Sequence, residues 1–205
     1  MKISTEEQGR LGANCYMLSS DKTAVCIDPS ELSNNLLSFL EGNSEKELFI
    51  VATHRHYDHV AAIAEIKERF GGKIAVSKAD ACGIENDTDS LGTYFGMRHK
   101  TASPDIFLSE GEVNLGDISF RILETPGHTE GSVCLITENV IFSGDTLFCM
   151  SIGRTDFPSG SMADMQRSLK KLFSLPDDYT VYPGHGESTT LYFEKQNNPY
   201  YFREF

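Results

Sequence analysis

Residues 54–59 read HRHYDH, and four of these six have side chains that commonly bind metal ions: His54, His56, Asp58 and His59. The apolar run Leu48–Ala52 before them predicts a short buried strand, and a helical pattern follows from about His59 to Phe70. Ligand-binding residues gather where the strands of α/β sheets end. Four such groups crowded at one strand end would lose hydration and repel one another unless a cation compensated them. The stretch therefore predicts a metal site.

Three later loops each place a glycine directly before another possible ligand. The strands predicted before these loops are Ile118–Glu124, Val140–Ser143 and Tyr179–Tyr182. The glycine–ligand pairs are Gly127-His128, Gly144-Asp145 and Gly184-His185. Glycine permits unusual backbone angles and close approach of the chain, so each corner can aim its side chain inward. We expect these three corners to meet the HRHYDH stretch.

The candidate ligands are five imidazoles and two carboxylates: His54, His56, Asp58, His59, His128, Asp145 and His185. One tetrahedral zinc needs only four ligands, or three and a water at a catalytic site. Seven ligands suit two divalent metal ions that share one carboxylate and one hydroxide. Nitrogen and oxygen donors fit zinc, with iron or manganese as alternatives, and no thiolate is required. The sixth histidine, His99, lies between two basic residues and receives no metal role.

Strand and helix patterns alternate along the rest of the chain, which predicts a mixed α/β layered fold. The runs 14–19 and 23–27 predict a hairpin, and further strands are predicted at 48–52, near Val113 and at 132–137. Helical patterns cover 31–40, 161–173 and 191–196, and Gly71-Gly72 ends the helix predicted from His59. Residues 85–105 are polar and then rich in glycine and aromatics, and they predict a long loop or lid.

Length and composition limit the classes of function. The 205 residues favour one domain spanning 1–205, and a net charge of −12 argues against binding nucleic acid or a membrane through a basic surface. Five widely spaced cysteines with no C-x-x-C argue against a disulfide framework or a cysteine-rich zinc site. The polar start lacks a signal peptide, and no apolar run is long enough to span a membrane, so a cytoplasmic protein is expected.

The order of the ligands resembles the metallo-β-lactamase superfamily, and the resemblance covers nearly the whole chain. It implies a four-layer αββα sandwich, two mixed sheets flanked by helices, with a dinuclear site at one edge. It also implies that one metal is held by His54, His56 and His128 and the other by Asp58, His59 and His185. Asp145 would bridge the two metals.

Finer motifs resemble the small glyoxalase II-like hydrolases: Gly144–Phe148, Gly153–Phe157, Pro183–Gly186, and the tail with Thr189, Thr190, Glu194 and Asn198-Pro199. This resemblance implies a thioesterase, hydroxyacylglutathione hydrolase-like, that uses a hydroxide bridging two metals and has Asp58 and Asp145 as catalytic residues. Its partner would be a small-molecule thioester. The chain ends 20 residues after His185, and full glyoxalase II enzymes carry a further helical portion that binds glutathione. The sequence therefore does not identify the thiol that carries the acyl group.

Several other side chains are candidates for supporting roles. Tyr94, Arg98 and Lys100 in the predicted lid could meet an anionic substrate, and Arg154 could do the same or form an ion pair with Asp156. The candidates for orienting the imidazoles are Asp28, Thr53 and Thr146. Asp28 could instead cap the helix that follows it.

Two other functions compete with the hydrolase. A mononuclear iron persulfide dioxygenase of the same superfamily would use His54, His128 and Asp145, and it shares the Gly-Arg-Thr-Asp stretch. The Pro183–Gly186 motif and the motifs after it, from Thr189 to Pro199, favour the hydrolase. A metal-binding module without activity is the third possibility, and the complete set of seven ligands argues against it. The sequence does not predict the oligomeric state.

Overall fold

Two six-stranded sheets form the framework of the computed structural model, which describes residues 1–201. In the first sheet the strands lie side by side in chain order: β1 (Lys2–Gln8), β2 (Ala13–Ser19), β3 (Thr23–Ile27), β4 (Glu47–Val51), β5 (Lys73–Ser77) and β6 (Ile106–Leu108). The second sheet also follows chain order: β7 (Gly111–Leu115), β8 (Ile118–Glu124), β9 (Val133–Thr137), β10 (Val140–Gly144), β11 (Thr180–Pro183) and β12 (Thr189–Thr190).

Both sheets are mixed. In the first, β1 to β3 are antiparallel and β3 to β6 are parallel. In the second, β10 and β11 are parallel and the other neighbours are antiparallel. Because β8 and β10 are each antiparallel to β9, they run in the same direction as each other and as β11. The carboxyl ends of these three strands therefore lie at one edge of the sheet.

Six α-helices accompany the sheets in residues 1–201: α1 (Asn34–Gly42), α2 (Tyr57–Val60), α3 (Ile63–Phe70), α4 (Cys82–Glu85), α5 (Met162–Phe173) and α6 (Leu191–Asn197). Apolar residues of α1 and α3 pack on the outer face of the first sheet, and those of α5 and α6 pack on the second. The result is the four-layer αββα sandwich expected from the resemblance. Within these residues, no helix has the length and apolar character needed to cross a bilayer.

Period-two alternation explains how one strand serves two layers. Along β2, Tyr16 and Leu18 join the core between the sheets, whereas Cys15 and Met17 face the helices outside. Phe120 and Phe142 meet the inner face of the first sheet from the second. The central strands are buried on both faces, so their sequences are nearly continuous apolar runs.

The structure corrects several boundaries. The helix predicted from residue 31 begins at Asn34, because the Ser33 hydroxyl accepts a hydrogen bond from Leu36 N and caps it there. The helix predicted over 59–70 is two helices, α2 and α3. The hairpin, the other predicted strands and the helices near 161–173 and 191–196 are confirmed within one or two residues.

Four strands escaped prediction: β1, β5, β6 and β12. β1 is an edge strand with mostly solvent-facing polar side chains, so it lacks the apolar signal of a buried strand. The predicted loop 85–105 is irregular except for the end of α4 and a short 3-10 turn, Gly92–Phe95.

Candidate metal centre

The seven predicted ligands meet at the carboxyl ends of four strands. His54 and His56 follow β4, and Asp58 and His59 lie in α2. His128, Asp145 and His185 follow β8, β10 and β11. A hydrogen bond from Val133 N to the Thr53 carbonyl, 2.9 Å long, joins the two sheets at this edge. The topology therefore brings residues up to 131 positions apart, from His54 to His185, into one cluster.

The first half of the cluster contains three imidazoles. One nitrogen from each of His54, His56 and His128 lies within 4.8 Å of the others. His56 Nδ1 and His128 Nε2 are only 2.8 Å apart. All three side chains are buried. Three convergent nitrogens are a suitable ligand set for one divalent cation.

The second half of the cluster contains a carboxylate and two imidazoles. Ligand atoms of Asp58, His59 and His185 also lie within 4.8 Å of one another. Asp145 lies between the halves: its Oδ2 is 3.3 Å from His128 Nε2 and 3.7 Å from His185 Nε2, and its Oδ1 is 3.5 Å from His59 Nε2. Its carboxylate thus reaches both groups, as a bridging ligand would.

Acceptors behind the cluster determine which imidazole nitrogen faces inward. Nδ1 of His128 lies 2.7 Å from the Arg154 carbonyl, and Nδ1 of His185 lies 3.0 Å from the Gly12 carbonyl. A carbonyl can only accept, so each Nδ1 carries the proton and each Nε2 presents a lone pair. These lone pairs are available to a cation.

Asp28 orients one imidazole in each half. Its Oδ2 accepts from His59 Nδ1 at 3.0 Å and from the Thr53 hydroxyl at 2.6 Å, while Oδ1 accepts from Thr53 N at 2.7 Å. Because the Thr53 hydroxyl proton points to Asp28, its oxygen accepts from His54 Nδ1 at 3.1 Å. Asp28 and Thr53 therefore support the ligands as predicted, and Asp28 does not cap α1. Thr146 instead contacts the Thr125 hydroxyl.

Unpartnered atoms show that the cluster fits a cation. Four of the buried side-chain atoms that lack a hydrogen-bond partner among the described residues belong to it: Nε2 of His54, His56 and His59, and Oδ1 of Asp145. A buried polar atom without a partner costs about 1–3 kcal/mol. Metal ions would satisfy such atoms together, so the donor set and its burial fit metal binding.

Electrostatics differ between the two halves. Burial and the neighbouring imidazoles lower the pKa of His54 well below its usual value, and burial with His128 nearby lowers the pKa of His56 to about 2. Burial opposes protonation of His59 too, but Asp58 and Asp145 outweigh it and raise the pKa of His59 to about 10. The first half is thus a neutral donor set, and the second lies in a negative field that attracts positive charge.

All three corner glycines occupy positions where a Cβ would overlap a neighbour. Gly127 and Gly144 also have φ values of +145° and +48°, conformations that side chains rarely adopt. At Gly184, a Cβ would overlap Asp145 Oδ1 and lie 2.9 Å from His59 Cε1. Because Gly184 has only a hydrogen atom in place of a side chain, there is room beside it for the Asp145 carboxylate.

We expect Gly184→Ala to weaken metal binding at least tenfold, because the new methyl group displaces the Asp145 carboxylate, and to destabilise the fold by about 1–3 kcal/mol. Gly186→Ala is the matched control: its φ of +76° strains an alanine, by about 1–2 kcal/mol, but open space surrounds the position. Metal content and thermal unfolding of both variants test this. Wild-type metal affinity in Gly184→Ala would contradict the steric argument.

Asp80 supports the cluster and was not predicted. It is fully buried, and its Oδ2 accepts hydrogen bonds from Arg55 N at 3.1 Å and from the Thr129 hydroxyl at 2.5 Å. It therefore ties the loop that carries His54 and His56 to the loop that carries His128. The only signal in the sequence is an acidic residue shortly after β5, a strand that also escaped prediction.

The four predicted substrate residues lie in different surroundings. A cavity of about 470 Å³ opens over the cluster, and Arg154 is among the residues that line it, whereas Tyr94, Arg98 and Lys100 are not. The Arg154 guanidinium pairs with Asp156 through two contacts of 2.7 Å. Tyr94 is 74% exposed at the rim, and the Lys100 ammonium is 2.5 Å from Glu68 Oε2.

Two mixed sheets between helices, with a histidine and aspartate cluster at one edge, define an αββα class of proteins that hold metal ions between loops. The chain belongs to the metallo-beta-lactamase superfamily, whose sequence profile matches residues 8–185. This family confirms the resemblance noted from the ligand order. It makes the protein a member of a superfamily of metallo-hydrolases.

Curated relatives cover almost the whole chain. The sequence is 36% identical over 194 residues to hydroxyacylglutathione hydrolase GloC of Haemophilus influenzae, covering 91% of this chain and 92% of that protein. It is 32% identical over 210 residues to a probable metallo-hydrolase of Streptococcus pyogenes, covering 98% and 90%.

Solved structures share the fold. BLEG-1 B3 metallo-beta-lactamase superposes with a TM-score of 0.90 at 31% identity, covering 98% of this chain and 100% of that one. TTHA1623 in a di-iron-bound form gives 0.86 at 33% identity, covering 96% and 99%. ETHE1 from Myxococcus xanthus gives 0.80 at 28% identity, covering 97% and 84%.

Proposed function

We propose that this protein is a dinuclear metal-dependent hydrolase of thioesters, of the glyoxalase II type. The observation that carries the proposal is the position of Asp145, whose carboxylate reaches two complete groups of three ligands. The similarity to the protein named hydroxyacylglutathione hydrolase supports the thioester substrate.

We assign one ion to the group of His54, His56 and His128 and a second to the group of Asp58, His59 and His185, with Asp145 shared. Zinc is the proposed metal because the donors are mostly imidazoles. Iron and manganese are alternatives, and the di-iron form of a related structure supports iron. When bound, two such ions lower the pKa of a water molecule towards neutrality and stabilise negative charge on a carbonyl oxygen.

The chain's own residues orient the reactants. Asp58 lines the cavity as well as belonging to the second ligand group, so its carboxylate could accept a hydrogen bond from the attacking water. The acceptors behind the imidazoles keep the ligand nitrogens in place while charge changes in front of them. A thiolate with a free-thiol pKa of about 8.5 leaves without a strong proton donor. This fits a cavity whose acid–base groups belong mostly to the ligand cluster.

An iron persulfide dioxygenase is the second candidate, because the three ligands that it would use, His54, His128 and Asp145, also converge here. It differs from the hydrolase in needing one iron and dioxygen. The second group, with Asp58, His59 and His185 all in place, favours the hydrolase.

The test is a metal count on the purified protein combined with two assays. We expect about two ions per chain and hydrolysis within a thioester panel that includes S-lactoylglutathione. One iron per chain with oxygen uptake on glutathione persulfide would establish the dioxygenase instead. A metal-loaded protein that hydrolyses no thioester, ester, lactone or lactam and consumes no oxygen would be a binding module without activity.

A further inference from the structure

The cavity above the metal centre is lined largely by apolar side chains. Outside the ligand cluster, these come from four separate segments: Leu11, Leu91, Phe95, Phe148, Ile152 and Phe157. Two of them remain well exposed, Leu11 at 39% and Phe95 at 42%. Exposed apolar side chains grouped around a concave site mark a ligand surface, because they would otherwise be a liability in water.

Aromatic rings stand directly beside both halves of the metal cluster. The Phe157 ring meets the His56 ring edge-to-face at a centroid distance of 5.8 Å, and the Phe148 ring meets the His185 ring at 6.0 Å. Phe95 continues this wall towards the rim, 6.2 Å from Phe157. A substrate whose carbonyl lies at the cluster would therefore place its neighbouring groups against apolar walls.

Outside the ligand cluster, the described lining offers little to a second negative group. Among the described residues that line the cavity, Arg154 is the only lysine or arginine. The Nε and Nη2 groups along one edge of its guanidinium donate to the two carboxylate oxygens of Asp156, and its Cζ lies 3.8 Å from the centroid of the Phe157 ring. These contacts hold Phe157 in place and neutralise the cation. A carboxylate on an acyl group that lies along the wall outside the metal ligands would find apolar side chains and, in the described lining, no lysine or arginine without an acidic partner.

We propose that the cavity selects thioesters with an uncharged apolar acyl group, and that Phe157 and Phe95 determine this specificity. This inference rests on the proposed thioester hydrolase activity. Arg154 is then a positioning residue for Phe157 and not a contact for an anionic substrate.

The test uses the metal-loaded protein and acyl thioesters of one small thiol, N-acetylcysteamine. From acetyl to butyryl to hexanoyl, we expect kcat/KM to rise about fourfold per methylene group, the effect of burying one methylene. Glutaryl, similar in length to hexanoyl but ending in a carboxylate, is expected to react at least tenfold less efficiently. Equal rates along the series, or a preference for glutaryl, would overturn the inference and leave thioester hydrolysis intact.

Two variants test whether the Phe157 and Phe95 rings determine the specificity. Phe157→Ala and Phe95→Ala are expected to flatten the dependence of kcat/KM on acyl chain length. Phe95→Ala leaves the proposed metal ligands unchanged. Phe107→Ala, at a phenylalanine 55% exposed in β6 and outside the cavity, is the matched control and should keep the dependence. Metal content is measured for each variant. A steep dependence that persists in both cavity variants would overturn the assignment of these residues.

A binding measurement separates this inference from the proposed reaction. The S-hexyl thioether of N-acetylcysteamine cannot be hydrolysed, and calorimetry should show that it binds roughly tenfold more weakly to Phe157→Ala than to the wild type. The S-(4-carboxybutyl) thioether should bind the wild type more weakly than the hexyl one. If no thioester is hydrolysed, the proposed function fails, and these affinities still test the apolar cavity. Equal affinities for the two thioethers would contradict it.

Discussion

Asp145→Ala is expected to lose at least one of the two proposed metal ions and to lower the proposed kcat/KM for thioesters by about a thousandfold or more. Its carboxylate lies 3.3 Å from His128 Nε2 and 3.5 Å from His59 Nε2, so it serves both halves of the cluster. Two-metal sites supply several kcal/mol of charge stabilisation, and each 1.36 kcal/mol corresponds to a factor of ten in rate. Losing the shared ligand therefore removes most of the catalytic effect.

Metal analysis after dialysis and steady-state kinetics measure this result. Asp21→Ala is the matched control, because Asp21 is an exposed aspartate in the turn between β2 and β3. It should keep two ions and full activity. Two tightly bound ions in Asp145→Ala, or activity within tenfold of the wild type, would contradict the bridging assignment.

The same variant is expected to remain folded. Three apolar clusters, one between the sheets and one under each helical layer, hold the structure, and Asp145 belongs to none of them. Metal ions bound as proposed would stabilise the wild type by mass action. The Tm of Asp145→Ala should therefore fall no lower than that of the metal-free wild type. Unfolding at room temperature would show that the fold depends on this ligand.

Asp28→Ala is expected to weaken metal binding about 10–100-fold and to destabilise the protein by several kcal/mol. Asp28 is 1% exposed and accepts three hydrogen bonds, from Thr53 N, the Thr53 hydroxyl and His59 Nδ1. Without it, these three buried donors lose their acceptor. The His54 and His59 rings, one in each half of the cluster, also lose their orientation.

Asp28→Asn separates charge from backbone effects. Asp28 has a φ of +55°, which asparagine tolerates better than alanine does. The amide keeps one acceptor oxygen but turns an NH₂ group towards the other donors. We therefore expect stability to fall in the order wild type, Asn, Ala, with weakened metal binding in both variants. Zinc titration with a competing chelator and chemical denaturation of the metal-free forms provide the measurements. A wild-type affinity in Asp28→Ala would show that Asp28 does not position the imidazoles.

Many of the residues in the candidate site could be predicted from local sequence. HRHYDH places four candidate ligands within six residues, and three glycine corners follow predicted strands, so residue type and spacing alone selected seven residues that the structure brings close together. The alternation of apolar runs likewise indicated a layered α/β fold, because burial on two faces leaves a signal in each strand. Features encoded within a few neighbouring residues are therefore predictable from the sequence.

Contacts between distant segments could not be read in this way. Asp80 meets Thr129, and the Gly12 carbonyl meets His185, 173 positions away. Each partner alone is an ordinary aspartate or a backbone carbonyl, with no distinctive neighbours in sequence. Only the packing of the sheets selects them.

The cavity also combines features that local sequence predicted with features that only the folded structure shows. Lys100 was predicted as a contact for an anion, but folding brings it beside Glu68. Of the two alternatives predicted for Arg154, the structure shows the ion pair with Asp156. Leu11, from a polar amino-terminal stretch, joins the apolar lining. The sequence by itself predicted the candidate ligands and a layered α/β fold, because these depend on side-chain identity and local periodicity, and the family resemblance added the αββα arrangement. Only the tertiary structure decided which charges are neutralised and which rings lie beside the histidine cluster, because pairing across the fold depends on distances that residue spacing does not encode.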